Sequence, residues 1–435
     1  MPHMRTLVGT LFVAVLMLSA CGAPLPAAPS TLGPPETPPP LTTRTLPAPE
    51  TATPEPTPNI PLATISMPTL EPTSTARQLK YRIVGYYPAW SNPARDVDAS
   101  ELPGNLLTHI IYAFGRIDPK THTCTYGEES VDKYHLKNLR QLKQKYPHVK
   151  VLIAIGGATR SSEFSDMAAE KESRQEFVRS CLDLYLGAYP DAIDGFDMDW
   201  EFPGVGEGSR KEDKQNFTAL MQEFRRQLDE LSRQKKRSYL LTAAVPAGPG
   251  LAQKYELRDL SRVLDWFNLM TYDFSGAWSK ATNFNAPLYR ARDDPFPANN
   301  VDAAVQTYLK AGELPHKITL GMPFYGRGWT TAGTDNHGLY QKLSRGAVSG
   351  TAYTYQNLLD KYIGKNNYER YWNYGAKVPW LYNPAERVFI TYEDPESIGY
   401  KAEYVADHYL GGAMIWHLSS DDGTLLKTLY ERLAQ

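Results

Sequence analysis

The chain has 435 residues, with 46 basic against 48 acidic side chains and a formal charge of −2. A non-specific nucleic-acid binder or a polybasic membrane-surface protein needs a basic excess, so both classes are disfavoured. Length alone suggests about three domains, but half of the 34 prolines fall in residues 1–78, which hold one aromatic residue, Phe12, while all eight tryptophans and all 28 tyrosines lie beyond. One large aromatic-rich body on a proline-rich leader is expected.

The leader opens with Arg5 and an apolar run, Leu7 to Leu18. The run is too short to span a bilayer as a helix, which takes about 20 residues. A charged start, a short apolar run and small residues describe an export signal. Leu18-Ser19-Ala20-Cys21 resembles the lipobox of bacterial lipoproteins. That resemblance implies a signal over residues 1–21, lipidation of Cys21, and a membrane contact through the lipid anchor alone. An ordinary secretory signal with an incidental cysteine is the alternative. Residues 22–79 are rich in proline and threonine, with no lysine in the leader at all. Such a segment cannot bury enough apolar surface to offset its ordering entropy, so a disordered or polyproline-like linker is expected. It would serve as a tether or as a featureless spacer.

From Tyr81 onward short apolar runs alternate with helical stretches. The runs are Arg82–Tyr87, Leu107–Phe114, Val149–Ile155, Ala192–Trp200, Tyr239–Val245, Val263–Met270, Ile318–Met322 and Ala413–Trp416. Phe217, Leu220, Met221, Phe224, Leu228 and Leu231 recur at helical spacing between the fourth and fifth runs. Eight strands alternating with helices predict an α/β fold, a (β/α)8 TIM barrel with its site at the C-terminal strand ends. A doubly wound sheet is disfavoured because no strand leads into a Gly-rich phosphate loop. About 65 residues rich in tyrosine and tryptophan separate the seventh strand from a helix starting near Ser397. That is too long for an ordinary loop, so an α+β insertion subdomain over about 328–394 is expected between strand 7 and helix 7. Sequence does not decide whether Cys124 and Cys181 come within bridging distance, and buried free thiols are the expectation. No Cys/His cluster has metal-ligand spacing, so neither metal nor cofactor is expected.

The fourth run reads Asp194-Gly195-Phe196-Asp197-Met198-Asp199-Trp200-Glu201. Strand alternation puts Asp197, Asp199 and Glu201 on one face, with Phe196, Met198 and Trp200 toward the covering helices. Three carboxylates this close cannot all ionise comfortably, so at least one should keep its proton near neutral pH. Glu201, nearest the mouth, is best placed to be a proton donor. A cation site and simple solvation of a strand end are the blander readings. The spacing also limits a glycosidase mechanism: Asp199 and Glu201 meet a sugar from the same side, whereas ordinary glycosidases flank the scissile bond. The nucleophile would then come from elsewhere, most economically from the substrate's own acetamido carbonyl.

Asp-x-x-Asp-x-Asp-x-Glu over Asp194 to Glu201 resembles the signature of glycoside hydrolase family 18, the chitinases. Gly85-Tyr86-Tyr87-Pro88-Ala89-Trp90, His109 to Phe114, Met270-Thr271-Tyr272-Asp273, Gly321 to Arg327 and Gly411 to Trp416 resemble other strand motifs of that family, in order. The resemblance implies retaining, substrate-assisted hydrolysis of β-1,4-linked N-acetylglucosamine chains. Glu201 would be acid and then base, Asp199 would orient the acetamido group, and Asp197 would share a proton with Asp199. Tyr272 would hold the acetamido oxygen and Trp416 would floor the −1 sugar. Tyr86, Phe114, Met270, Asp273, Tyr325 and Arg327 match groove positions, while Asp194, on the opposite parity, would be structural. The implied partner is a carbohydrate containing N-acetylglucosamine, and the chain is expected to act as a monomer at the cell surface or secreted. Peptidoglycan or the N-glycan core as substrate, and a non-catalytic lectin, are alternatives. Three departures stand out: Ala154 where the family often has serine, Ala158 where many chitinases place tryptophan, and Phe202 where tyrosine is common.

Overall fold

The computed structural model describes residues 79–91, 97–344 and 353–434. The expected signal, Cys21 and all but the last residue of the expected linker lie outside these residues. Eight parallel strands follow in chain order: β1 (Arg82–Pro88), β2 (His109–Ile117), β3 (Lys150–Gly156), β4 (Gly195–Asp199), β5 (Leu240–Pro246), β6 (Trp266–Met270), β7 (Ile318–Pro323) and β8 (Gly412–Trp416). Each pairs with its sequence neighbour, and β1 pairs with both β2 and β8, which closes the barrel. The sixth strand starts later than expected, because Val263 closes a short helix, Leu257–Val263. Among the described residues no helix is long and apolar enough to cross a membrane.

Strand alternation divides the core into two layers. Val84, Tyr86, Ile111, Leu152, Ala154, Trp266 and Met414 fill the lumen. Ile83, Tyr87, Ile110, Tyr112, Val151, Ile153, Phe196 and Met198 pack against the surrounding helices. Trp200 continues the outer layer and stacks on Phe164, with centroids 5.1 Å apart. The helix Asp213–Lys235 turns Phe217, Leu220, Met221, Phe224 and Leu228 inward, the stripe that its spacing predicts. Asp194 faces away from the lumen. It pairs with Lys143 and Arg237 and accepts the Val151 N–H at 2.8 Å.

Between β7 and the helix Pro395–Asp407 the chain forms a separate antiparallel sheet. Its strands are Arg327–Thr330, Glu369–Asn373, Val378–Asn383 and Val388–Thr391, with a helix at Tyr355–Lys361. Trp329, Trp380, Phe389 and Phe284 make its own core, which absorbs part of the aromatic excess of this stretch. The following helix begins with Pro395 at its first turn and a capping box between Asp394 and Ser397.

One expectation is corrected. Cys124 and Cys181 are joined in a disulfide, with Cα atoms 5.0 Å apart and a sequence separation of 57. Cys124 sits on a two-residue strand, Cys124–Thr125, that folds back antiparallel on the end of β2. That fold-back brings it against the last turn of the helix Lys171–Cys181, a long-range approach that residue spacing does not reveal.

Candidate active site

Asp197 is fully buried in the barrel and accepts three hydrogen bonds. Tyr86 donates to Oδ2 at 2.6 Å, while Thr242 at 2.5 Å and Asn268 at 2.9 Å donate to Oδ1. Asn268 is itself fixed by Trp266 Nε1 at 2.9 Å and the Thr319 hydroxyl at 2.7 Å, both donated to its Oδ1. Burial raises the Asp197 pKa, and the three donated hydrogen bonds oppose that rise. No hydrogen bond joins Asp197 to Asp199, and the donors to Asp197 come from Tyr86, Thr242 and Asn268.

Asp199, two residues further along, is also buried, but its Oδ1 has no hydrogen-bond partner. Burial, then the nearby Glu201 and Asp197 charges, push its pKa well above the usual carboxylate range. Glu201 follows at the mouth. Burial, then the Asp273 charge, push its pKa up to about 7.

The backbone around these acids is held from two sides. The Gly157 N–H donates to the Asp199 carbonyl at 2.8 Å, and the Glu201 N–H donates to Ser161 Oγ at 3.0 Å. The Tyr255 hydroxyl donates to the Trp200 carbonyl at 2.9 Å. This approach explains the paired glycines ending β3. Gly156 has φ +110°, and a Cβ there would lie 2.2 Å from the Asp199 carbonyl oxygen; at Gly157, φ +90°, it would strike the Phe114 ring at 2.8 Å.

A cavity of about 330 Å3 opens above the acids. Tyr86, Phe114, Asp199, Glu201, Met270, Tyr272, Asp273 and Trp416 all line it. Asp197 lies beneath it, behind Tyr86. Trp416 is braced by Tyr86 and Phe114, with ring centroids 5.4 and 5.8 Å away. Burial raises the Tyr272 pKa well above that of free phenol, so its hydroxyl keeps its proton. Tyr325 and Arg327 are absent from the cavity wall and reach the site through Asp273. The Tyr325 hydroxyl donates to Asp273 Oδ1 at 2.6 Å, and Arg327 grips both carboxylate oxygens at 2.6 Å. Non-proline cis peptide bonds follow Ala113, Glu201 and Trp416, each beside a site residue.

Sequence reasoning missed Thr242, Asn268, Ser161, Trp90 and Arg160. Thr242 and Asn268 carried a usable signal, since each is a polar residue at a lumen-facing position of an otherwise apolar strand. Ser161 and Arg160 lie in a loop, where no periodicity marks them. The arrangement offers one carboxyl whose pKa is raised to about 7, a second with an unsatisfied buried oxygen, a neutral phenol and an apolar floor. Those parts suit proton donation to a leaving oxygen and capture of a neutral N–H group. Among the described residues no acid, histidine or cysteine cluster suits a metal ion.

The family model "Glycosyl hydrolases family 18" matches residues 82–421. Chitinase A1 of Niallia circulans is 37% identical, an alignment covering 84% of this chain and 59% of that protein. The chain thus spans little more than half the length of that relative. Among solved structures, Chitinase ChiA74 from Bacillus thuringiensis superposes with a TM-score of 0.76 at 36% identity, covering 81% of this chain and 70% of that one. A family 18 N-acetylglucosaminidase from Paenibacillus barengoltzii superposes with a TM-score of 0.72 at 32% identity, covering 81% and 99% respectively. The chain therefore belongs to glycosyl hydrolases family 18 and is a glycoside hydrolase by family.

Proposed function

We propose that the protein hydrolyses β-1,4-linked N-acetylglucosamine chains, with retention of configuration and with the substrate's own acetamido group as nucleophile. The observation that carries this reading is the contrast between Glu201 and Asp199. Glu201 holds its proton up to about pH 7 at the cavity mouth, and Asp199 presents a buried oxygen without a donor. Glu201 gives its proton to the glycosidic oxygen as the bond to the anomeric carbon breaks. The acetamido carbonyl oxygen attacks that carbon from the opposite side and forms a cyclic oxazolinium. Asp199 accepts the acetamido N–H, and the positive charge that develops beside it offsets the burial that otherwise favours its neutral form, while the Tyr272 hydroxyl orients the acetamido oxygen. The Glu201 carboxylate then takes a proton from water, which opens the ring and restores both the sugar and the acid. Asp197 fixes the base of the strand, and Trp416 offers the sugar ring an apolar face. The names of the relatives, chitinases and an N-acetylglucosaminidase, support this substrate class.

The sheet between Arg327 and Thr391 is read as the family's insertion domain, forming a wall beside the cleft. Export is part of the proposal, with Cys21 as lipid anchor and residues 22–79 as tether. The Cys124–Cys181 disulfide supports export, since disulfides persist in oxidising compartments. The test is a Glu201→Gln protein assayed on acetylated oligomers of four to six sugars. A fall in kcat of at least about a hundredfold is expected. Equal, negligible release of reducing ends by both proteins would leave the lectin reading standing. Rapid cleavage of the matching oligosaccharide without N-acetyl groups would rule out the acetamido nucleophile.

A further inference from the structure

A groove of about 770 Å3 adjoins the catalytic cavity and shares two wall residues with it, Trp90 and Arg160. Arg116 and Tyr134 line its far side. Trp90 and Tyr134 are about half exposed, at 51% and 46%. Arg160 is half-buried, and its guanidinium makes one long hydrogen bond, to the Phe114 carbonyl at 3.5 Å. Neither Arg160 nor Arg116 has a carboxylate within ion-pair distance among the described residues, and neither has a further partner there. They stand close enough for Arg116 to work against the Arg160 charge, in addition to burial.

Three carboxyl groups lie nearby, one of them Asp98, which accepts from the Tyr134 hydroxyl at 2.7 Å. Asp132, fully buried behind Gly127, accepts from the Tyr112 hydroxyl at 2.6 Å and the Gly127 N–H at 2.6 Å, and longer from Glu128 N–H. It attracts Arg160 without reaching it. Glu128 lines the groove but pairs with neither arginine. Arg160 is half-buried and Arg116 exposed, and neither guanidinium has a carboxylate partner among the described residues, so they repel each other and an anion between them relieves that repulsion. The planar fork of arginine matches a carboxylate in two-point geometry.

Resting on the hydrolase reading above, we propose that Arg116 and Arg160 form a subsite for a carboxylate borne by a sugar next to the one in the catalytic cavity. The preferred glycan is then an acidic N-acetylglucosamine polymer, with its neighbouring sugar resting on Trp90. The carboxylate has two chemical sources, a lactyl ether on an amino sugar or the C6 acid of a uronate.

Binding to the full chain carrying Glu201→Gln tests this without turnover. Three tetrasaccharides are compared: neutral N-acetylglucosamine, the same with alternate 3-O-lactyl groups, and one alternating with glucuronate. The methyl ester of each acid serves as a bulk-matched control. At least one acid should bind about tenfold more tightly than its ester at low salt, and Arg116→Gln/Arg160→Gln should bring that ratio to about one. Which acid shows the ratio identifies the source. Acid-to-ester ratios near one for both acids in the parent, or a ratio that survives in the arginine variant, would overturn the subsite. If the wild-type chain cleaves none of the three while the ratio holds, the hydrolase reading fails and the carboxylate subsite stands.

Discussion

Asp197 and Asp199 share one strand and one face, yet Asp197 accepts three hydrogen bonds while the buried Oδ1 of Asp199 accepts none. The lower acid is locked in place and the upper one is left with acceptor capacity that only a molecule in the cavity can fill. An unsatisfied buried group costs about 1–3 kcal/mol, so this site carries a standing penalty that substrate would relieve.

Asp199→Asn should therefore stabilise the protein while disabling it. A carboxyl whose folded pKa is raised contributes stability that is present at low pH and lost as pH rises toward that pKa. The neutral amide escapes that loss. We expect Tm to rise by about 2 °C or more at pH 8 and by less at pH 4.5, with kcat lowered by about a hundredfold or more. Thermal melts at the two pH values check the sign, and an equal or larger gain at pH 4.5 would contradict the linkage.

Glu201 is raised first by burial and then by Asp273. A general acid must be protonated, so kcat/KM should fall as pH passes about 7. Asp273→Asn removes the charge and leaves Arg327 without its partner, and both effects favour the ionised Glu201. The alkaline limb should move down by about half a unit or more. A pH–rate profile with an unmoved alkaline limb would show that Asp273 does not set the acid.

Thr242→Val and Tyr86→Phe each remove one donor from the fully buried Asp197. Each should cost about 1–3 kcal/mol in denaturant unfolding. Their double mutant should lose less than the sum, since Asp197 can then take a proton.

Ser161 Oγ accepts the Glu201 N–H and lies 3.0 Å from the Gly157 carbonyl that it donates to. It acts through the backbone of the acid. Ser161→Ala should lower kcat by about three- to tenfold with KM little changed, and Ser161→Thr should recover most of it. A loss confined to KM would place Ser161 in binding instead.

The disulfide joins positions 57 apart in sequence, linking the β2 fold-back to the helix Lys171–Cys181. Loop-closure entropy assigns such a link about 4 kcal/mol. The double variant Cys124→Ser/Cys181→Ser should melt several degrees lower, and reductant should do the same to the wild type only.

Much of the barrel was legible because its strands are apolar runs at regular intervals, and because Asp197, Asp199 and Glu201 break one of those runs at a period of two. The same alternation separated the lumen acids from Asp194, which the structure ties to Lys143 and Arg237 instead. What stayed hidden depends on distances in space. The pairing of Cys124 with Cys181 needs the fold-back of β2, and the role of Ser161 needs the close approach of β3 and β4 at Gly156. Tyr325 and Arg327, which the motif places along the groove, both hold the carboxylate of Asp273, itself part of the cavity wall, and that contact is not visible in residue spacing.

Arg327 opens the first strand of the outlying sheet, paired across from Thr391. It also neutralises Asp273, the neighbour whose charge helps hold the proton on Glu201. The proton affinity of the acid is thus governed partly by an element that contributes nothing to closing the barrel. If that sheet frayed while the barrel stayed intact, Asp273 would lose its counter-ion and Glu201 would hold its proton more tightly. The working pH range of the barrel could thereby drift during evolution through substitutions in the sheet, without any change to the acids themselves.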